Sequence, residues 1–121
     1  MILVDTSVWV DHLRAGDELL TGLLQDAQVL GHPWVTGEIA LGSLAQRREV
    51  VGLLQGLPQA VVASDSEVLA LVGNARLFGR GIGWVDAQLL ASTRLVGEAV
   101  LWTRDRRLAD AAAQLGVGAN L

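Results

Sequence analysis

The sequence predicts an α/β fold in which a central, mainly parallel sheet is flanked by helices. Four short, mainly apolar runs have the length and composition of strands: Ile2–Val4, Val29–Leu30, residues 60–63 and residues 98–102. Stretches with helical spacing separate them, and strands joined through helices pair in parallel with helices on both faces. The first run contains no polar residue, so we expect it to be buried on both faces.

Seven helices are predicted between and after these strands. Most begin beside Ser, Asp or Pro, and several end at Gly, the residue types favoured at helix starts and ends. In chain order they span residues 7–14, Asp17 through Leu24, residues 33–47, residues 48–55, Ser64 or Asp65 through Leu77, residues 84–96 and residues 105–115. The glycine-rich residues 79–83 form a loop.

Length and composition indicate one domain inside a cell. The chain has 121 residues, enough for one domain with a core but not for two, so we expect a single domain over residues 1–121. No apolar run approaches the roughly 18 residues that a membrane span requires. Met1 leads straight into the first strand without a signal peptide, and cysteine is absent. We therefore expect a cytoplasmic protein with no membrane partner, disulfide or thiolate-ligated zinc.

Two carboxylates are expected at one edge of the sheet. Asp5 directly follows the first strand, and Asp105 follows the last strand after Thr103 and Arg104. The carboxyl ends of parallel strands meet at one edge, which is where open α/β sheets bind their ligands. Either residue could instead be an ordinary helix cap, because aspartate is common at that position.

Two further carboxylates interrupt apolar stripes of predicted helices. Glu38 shares a stripe with Leu41, so we expect it to point toward the core. Asp86 lies three and four residues before Leu89 and Leu90, again on an apolar face. The ordinary alternatives are a partly exposed Glu38 and an Asp86 that stabilises the dipole at a helix start.

Four carboxylates crowded at one edge would repel one another, and a divalent cation would remove that repulsion. The chain offers no cysteine and no histidine pair. Oxygen ligands alone favour Mg²⁺ or Mn²⁺ over zinc. Such ions support phosphodiester hydrolysis by activating a water and stabilising charge on phosphate oxygens, without a nucleophilic side chain.

The charge of the chain bears on a nucleic-acid substrate. The net charge of −4 argues against nucleic-acid binding, unless the acidity is concentrated in a site that holds cations. All nine basic residues are arginines, which suit bidentate phosphate contacts. Arg80 in the glycine-rich loop and Arg104 beside Asp105 are candidates for such contacts. Their alternatives are solvated charges or ion pairs with neighbouring acids.

Four parts of the chain, in order and over essentially its whole length, resemble the PIN-domain nucleases and, more narrowly, the VapC toxins of toxin–antitoxin pairs. They are residues 2–7 (Ile-Leu-Val-Asp-Thr-Ser), Glu38, residues 83–91 and residues 101–105. The resemblance implies a catalytic site that binds Mg²⁺ or Mn²⁺ and consists of Asp5, Glu38, Asp86 and Asp105. It also implies supporting hydrogen bonds from Thr6, Ser7 and Thr103.

The same resemblance implies a metal-dependent endoribonuclease that acts on an RNA such as tRNA or rRNA. It further implies neutralisation by a VapB-like antitoxin, a homodimer and larger toxin–antitoxin assemblies. One departure from the family pattern is the bulky Trp84, which could stack on a base, pack against a partner or fill the core. Another is the absence of lysine, which leaves RNA contacts to arginine.

Other functions remain open from the residues alone. The same fold could bind RNA or protein as a regulatory module without activity, or the hydrolysis could act on DNA. Metal-dependent hydrolysis does not need a 2′-hydroxyl, so only the family resemblance favours RNA. A receiver-like phosphoacceptor domain also carries acids at strand ends, but it requires a lysine that this chain lacks.

Overall fold

The sheet has three parallel strands in the order β2-β1-β3. In the computed structural model, which describes residues 1–121, the strands are β1 (Ile2–Val4), β2 (Val29–Leu30) and β3 (Val100–Trp102). Ile2 lies opposite Val29 on one side and Val100 on the other. Because β1 is central, Leu3 and Val4 are completely buried. The predicted α/β class with a parallel sheet and flanking helices is confirmed.

Seven helices accompany the sheet, at close to the predicted positions. They are α1 (Thr6–Ala15), α2 (Glu18–Gln25), α3 (Pro33–Ala40), α4 (Arg47–Gly56), α5 (Asp65–Asn74), α6 (Trp84–Leu95) and α7 (Arg106–Gln114). The predicted caps are confirmed: Asp17 accepts a hydrogen bond from Leu20 N at 2.9 Å, and Ser64 and Glu67 form a reciprocal capping box. These caps set where α2 and α5 begin.

Helix α3 is shorter than predicted. It ends at Ala40 rather than near residue 47, and Leu41 is 90% exposed. Gly42 is a poor helix former, and Nε of Arg47 donates to the Ala40 carbonyl oxygen at 3.0 Å, which closes the helix end. The prediction that one buried apolar stripe continues through Leu41 is therefore wrong.

The strand predicted over residues 60–63 does not form. Gln59 makes a single parallel bridge to Gly31 just beyond β2. Further along, the Gln88 side chain takes the place of a neighbouring strand. Its Oε1 accepts from Ala63 N and its Nε2 donates to Ala63 O, both at 2.9 Å. A buried side-chain amide thus satisfies the backbone groups that strand pairing would otherwise satisfy.

His32 caps α3 from inside the core, where it is completely buried. Its Nδ1 accepts from Trp34 N at 3.0 Å, and its Nε2 lies 3.0 Å from Ser92 Oγ. With Nδ1 acting as an acceptor, the proton of the neutral ring is on Nε2. Burial lowers the pKa of the His32 imidazole below its ordinary value, and the nearby Gln88 side chain offsets part of that shift.

We expect the free energy of unfolding to fall as the pH is lowered from about 7 to 5. The unfolded chain binds a proton at His32 below an ordinary pKa of about 6.5. The folded protein, whose His32 pKa is lower, resists that proton, so stability falls by up to about 1.4 kcal/mol per pH unit. Urea unfolding across this range should show a steeper decline for the wild type than for His32→Asn. Equal declines would contradict the assignment.

Large apolar side chains remain exposed on the face formed by α5, the loop after it and the start of α6. Leu69, Phe78 and Trp84 line a cavity of about 250 Å³ there. Trp84 is 43% exposed, which excludes the core-filling role and leaves base stacking or partner packing. None of the seven helices is both long and apolar enough to cross a bilayer.

Candidate active site

The carboxyl ends of β1 and β3 meet at one point of the sheet edge. Val4 pairs with Trp102 in register, and the backbone N of Asp5 donates to the Trp102 carbonyl oxygen at 2.9 Å. The residues that follow the two strands are therefore held side by side. This pairing places Asp5 next to the segment that contains Thr103 and Asp105.

Asp5 is the most firmly held acid of the predicted set, with only 6% of its surface exposed. Its Oδ2 accepts three hydrogen bonds, from Ser7 Oγ at 2.7 Å, Ser7 N at 3.3 Å and Thr103 Oγ1 at 2.8 Å. Its Oδ1 has no protein donor, and no buried side-chain oxygen in the structure lacks a partner. Oδ1 is therefore open to solvent and can accept a ligand.

Two hydroxyls orient this carboxylate because each also accepts a backbone hydrogen bond. Ser7 Oγ accepts from Arg104 N, and Thr103 Oγ1 accepts from Asp105 N, both at 3.0 Å. Their own protons are then directed at Asp5 Oδ2. The hydroxyls also lie 3.3 Å from one another, so α1 and the segment after β3 are tied together around Asp5.

Glu38 reaches the site from the exposed side of α3, so the expectation that it points toward the core is wrong. The buried positions of the helix are Val35, Thr36 and Ile39. Glu38 Oε1 accepts from Thr6 Oγ1 at 2.6 Å. This bond joins α3 to the first residue of α1, directly beside Asp5.

Asp86 lies half-buried in the first turn of α6, and its Oδ2 accepts from Gly83 N at 3.3 Å. Burial raises the pKa of the Asp86 carboxyl above its ordinary value, and the Gly83 bond offsets part of the rise. The charges of Asp5, Asp105 and Glu38 raise the Asp86 pKa further. Asp86 therefore faces the other three predicted acids closely enough to be repelled by all of them.

Asp105 is the cap of α7, as the ordinary alternative predicts. Its Oδ1 accepts from Leu108 N at 3.0 Å, and its side chain is exposed. Its other oxygen, like one oxygen of Asp5, of Glu38 and of Asp86, has no hydrogen-bond donor in the protein. A capping role and a ligand role are therefore compatible, because each uses a different oxygen.

The predicted arginines are engaged elsewhere. The guanidinium of Arg104 forms ion pairs with Asp11 and Asp17 and lies 5.7 Å from the Trp102 ring centroid. This is the ion-pair alternative that the sequence leaves open. Arg80 donates to the Gln114 side chain. Neither arginine contacts any of the four carboxylates.

The carboxylate oxygens are of the kind that Mg²⁺ and Mn²⁺ prefer, but no three acidic or histidine side chains are close enough together in the structure to hold one ion. The ion pairs of Arg104 are the only ones in the structure, so no cation of the protein neutralises Asp5, Glu38, Asp86 or Asp105. The four unpartnered oxygens are hard ligands of the kind that these ions prefer. A bound divalent cation would offset the repulsion that raises the Asp86 pKa.

The sequence did not predict two buried polar residues that hydrogen-bond beneath the site. Gln88 and Ser92 are completely buried polar residues on α6. A polar residue at helical spacing within an apolar stripe is the signal that could have identified them. Asp11 and Asp17, which anchor Arg104, have no such signal.

The model of the PIN domain family matches residues 2–114 of this chain. Ribonuclease VapC32 of Mycobacterium tuberculosis, found in two strains, is 57% identical over 117 residues, which cover 97% of this chain and 94% of that protein. A hydroxyethylthiazole kinase of Yersinia enterocolitica is 38% identical over 79 residues, which cover 64% of this chain and 30% of the kinase. The kinase match is too partial to indicate a shared family. The chain thus belongs to the PIN-domain family, as a VapC-type member.

Proposed function

We propose that this protein is a metal-dependent endoribonuclease that hydrolyses RNA phosphodiester bonds and is neutralised by a VapB-like antitoxin. The observation that carries the proposal is the half-buried Asp86, which the charges of Asp5, Asp105 and Glu38 act on, together with the one free oxygen that each of these four carboxylates keeps. Similarity along nearly the full length to a protein named as a ribonuclease supports RNA as the substrate. We also propose that residues 1–121 form one domain and that the protein acts in the cytoplasm.

Asp5 and Asp86 are the expected principal ligands of Mg²⁺ or Mn²⁺, with Glu38 and Asp105 completing the acidic site. Asp5 presents Oδ1 in a fixed direction because three hydrogen bonds hold Oδ2. When bound, the cation lowers the pKa of an attacking water and stabilises charge on the phosphate oxygens. Without it, the unneutralised carboxylates repel a phosphate backbone, so substrate binding itself depends on the metal.

The supporting hydroxyls keep the acids in place. Ser7 and Thr103 orient Asp5, and Thr6 holds Glu38 through its 2.6 Å bond. Arg80 is the better candidate of the two arginines for a phosphate contact, because its only partner is the neutral Gln114 side chain. Arg104 would have to give up two ion pairs first.

The partners in the proposal are an RNA such as tRNA or rRNA, a VapB-like antitoxin and a second copy of the chain in a larger toxin–antitoxin assembly. A partly apolar cavity of about 590 Å³ opens beside Glu38, between α1, α3, the residues after α3 and the start of α4. An antitoxin segment bound there would lie next to the acidic site. The exposed apolar face around Phe78 and Trp84 leaves a second surface for assembly.

Cleavage of total RNA by purified, antitoxin-free protein tests the proposal. We expect discrete fragments with Mg²⁺ or Mn²⁺ and none with EDTA. Intact RNA in the presence of metal, with a folded protein, would contradict the proposal and favour a binding module. Cleavage of single-stranded DNA but not RNA would overturn the substrate assignment alone.

Replacing Thr103 with valine should weaken metal binding with little loss of stability. The change keeps the side-chain shape but removes both the 2.8 Å hydrogen bond to Asp5 and the hydroxyl that accepts from Asp105 N. Loss of a group that orients a metal ligand typically costs about 10- to 100-fold in affinity. Calorimetric Mn²⁺ titration measures this. The matched control is Thr21→Val on α2, where the hydroxyl bonds only the Asp17 backbone, and equal affinity in both variants would count against the role of Thr103.

A further inference from the structure

A buried chain of polar groups links the two helices that carry Glu38 and Asp86. His32 caps α3, and Gln88 and Ser92 lie on α6. All three side chains are 0% exposed. Polar groups this deeply buried are retained only with complete hydrogen bonding, and the proposed chemistry uses none of them directly.

In this buried chain of polar groups, the donor and acceptor of every hydrogen bond are fixed. Because Trp34 N donates to Nδ1 of His32, its Nε2 carries the proton and donates to Ser92 Oγ at 3.0 Å. Ser92 Oγ donates to Gln88 Oε1 at 2.6 Å. Nε2 of Gln88 then donates to the Ala63 carbonyl oxygen. Reversing any one bond would leave a buried donor or acceptor without a partner.

This buried chain of polar groups connects two helices on which the acidic site depends. Glu38 lies six residues after His32 on α3, and Asp86 lies six residues before Ser92 on α6. The bond between His32 and Ser92 is the only side-chain hydrogen bond that joins these two segments. Glu38 and Asp86 carry like charges, so a restraint between the start of α3 and α6 helps to hold these acids at a fixed separation.

We propose that His32 and Ser92 are positioning residues that fix the separation between Glu38 and Asp86 and thereby set the metal affinity of the site. This inference rests on the proposed function, in which those two acids hold the cation. Neither residue touches the cation or the RNA. Their effect is transmitted through the hydrogen bond that ties the start of α3 to α6.

Two variants break the link from opposite ends. His32→Asn keeps a side chain that can cap α3 by accepting from Trp34 N, but asparagine is too short to reach Ser92. Ser92→Ala removes the acceptor and leaves His32 in place. The control is Ser64→Ala, which removes the cap of α5 and lowers stability without touching the α3–α6 bond.

Mn²⁺ titration of the folded proteins is the first readout. We expect the dissociation constant to rise about three- to tenfold in either variant, less than the about 10- to 100-fold typical of groups that touch a ligand directly. The double variant should be no weaker than the weaker single variant, because both changes break one interaction. Ser64→Ala should bind Mn²⁺ within about twofold of the wild type. Unchanged affinity in Ser92→Ala would overturn the inference even if that variant melts at a lower temperature.

Amide hydrogen exchange of the metal-free protein gives a second readout that needs no metal. In Ser92→Ala, amides of α3 should exchange faster than in the wild type, although Ser92 is 60 residues from His32. Ser64→Ala should leave α3 exchange unchanged. If the wild type binds no Mn²⁺, the proposed function fails, and unchanged α3 exchange in Ser92→Ala would then overturn the inference separately.

Discussion

Replacing Asp5 with asparagine is expected to reduce metal-dependent RNA cleavage by about 10²- to 10³-fold, the loss typical of removing one preorganised group that stabilises transition-state charge. The asparagine oxygen can accept the same hydrogen bonds from Ser7 and Thr103, so the fold should be retained. What the variant loses is the negative charge on the most firmly oriented ligand. Initial cleavage rates with saturating RNA and several Mn²⁺ concentrations measure the effect.

The matched control for this experiment is Asp110→Asn on α7. Asp110 is exposed, and its carboxylate has no hydrogen-bond or ion-pair partner in the structure. The same chemical change there should leave cleavage within about twofold, as surface substitutions rarely matter. Equal activity of Asp5→Asn and Asp110→Asn, with circular dichroism showing both folded, would remove Asp5 from the site.

Asp86→Asn is expected to stabilise the metal-free protein and to abolish its stabilisation by metal. Burial and the neighbouring carboxylates raise the pKa of Asp86, so the folded state favours the neutral form. The stability penalty for ionising Asp86 grows as the pH rises from the ordinary aspartate pKa to the raised pKa of the folded state, and it is fully present above that raised pKa. Asparagine removes that penalty, so the metal-free variant should melt at a higher temperature than the metal-free wild type.

Added Mn²⁺ should reverse this order of melting temperatures between the wild type and Asp86→Asn. At about 100 times the dissociation constant, a ligand that binds only the folded state adds about 2.7 kcal/mol. For a domain of this size that is about 10 °C in melting temperature. The wild type should gain this shift and Asp86→Asn should gain little of it. A metal-free variant that melts lower than the wild type, or one that keeps the full Mn²⁺ shift, would contradict the placement of Asp86 in a shared acidic site.

Local sequence signals were sufficient for the parts of the site that lie at strand ends. An uninterrupted apolar strand followed by aspartate places Asp5 at the sheet edge. Parallel pairing then requires Thr103 and Asp105 to lie beside it, as the register of β1 and β3 shows. Capping residues predicted the starts of α2, α5 and α7 for the same local reason.

Features that depend on tertiary packing were not predictable in this way. The prediction that Glu38 points toward the core was wrong because α3 ends at Ala40. The buried side of so short a helix is decided by the elements that it packs against. The predicted strand over residues 60–63 does not form because the side chain of Gln88, 25 residues after Ala63, makes the hydrogen bonds to the Ala63 backbone instead. The pairing of His32 with Ser92 joins positions 60 residues apart and leaves no periodic signal.

The central claim is that Asp5, Glu38, Asp86 and Asp105 form one cation site. Its most direct test is an anomalous difference map from crystals of the free protein soaked in Mn²⁺. The strongest peak should lie about 2.1 Å from Asp5 Oδ1, the distance typical of a small divalent ion and a carboxylate oxygen, with Asp86 also in contact. A strongest peak elsewhere, for example at Asp11 and Asp17, or no peak at a Mn²⁺ concentration that stabilises the protein, would contradict the claim.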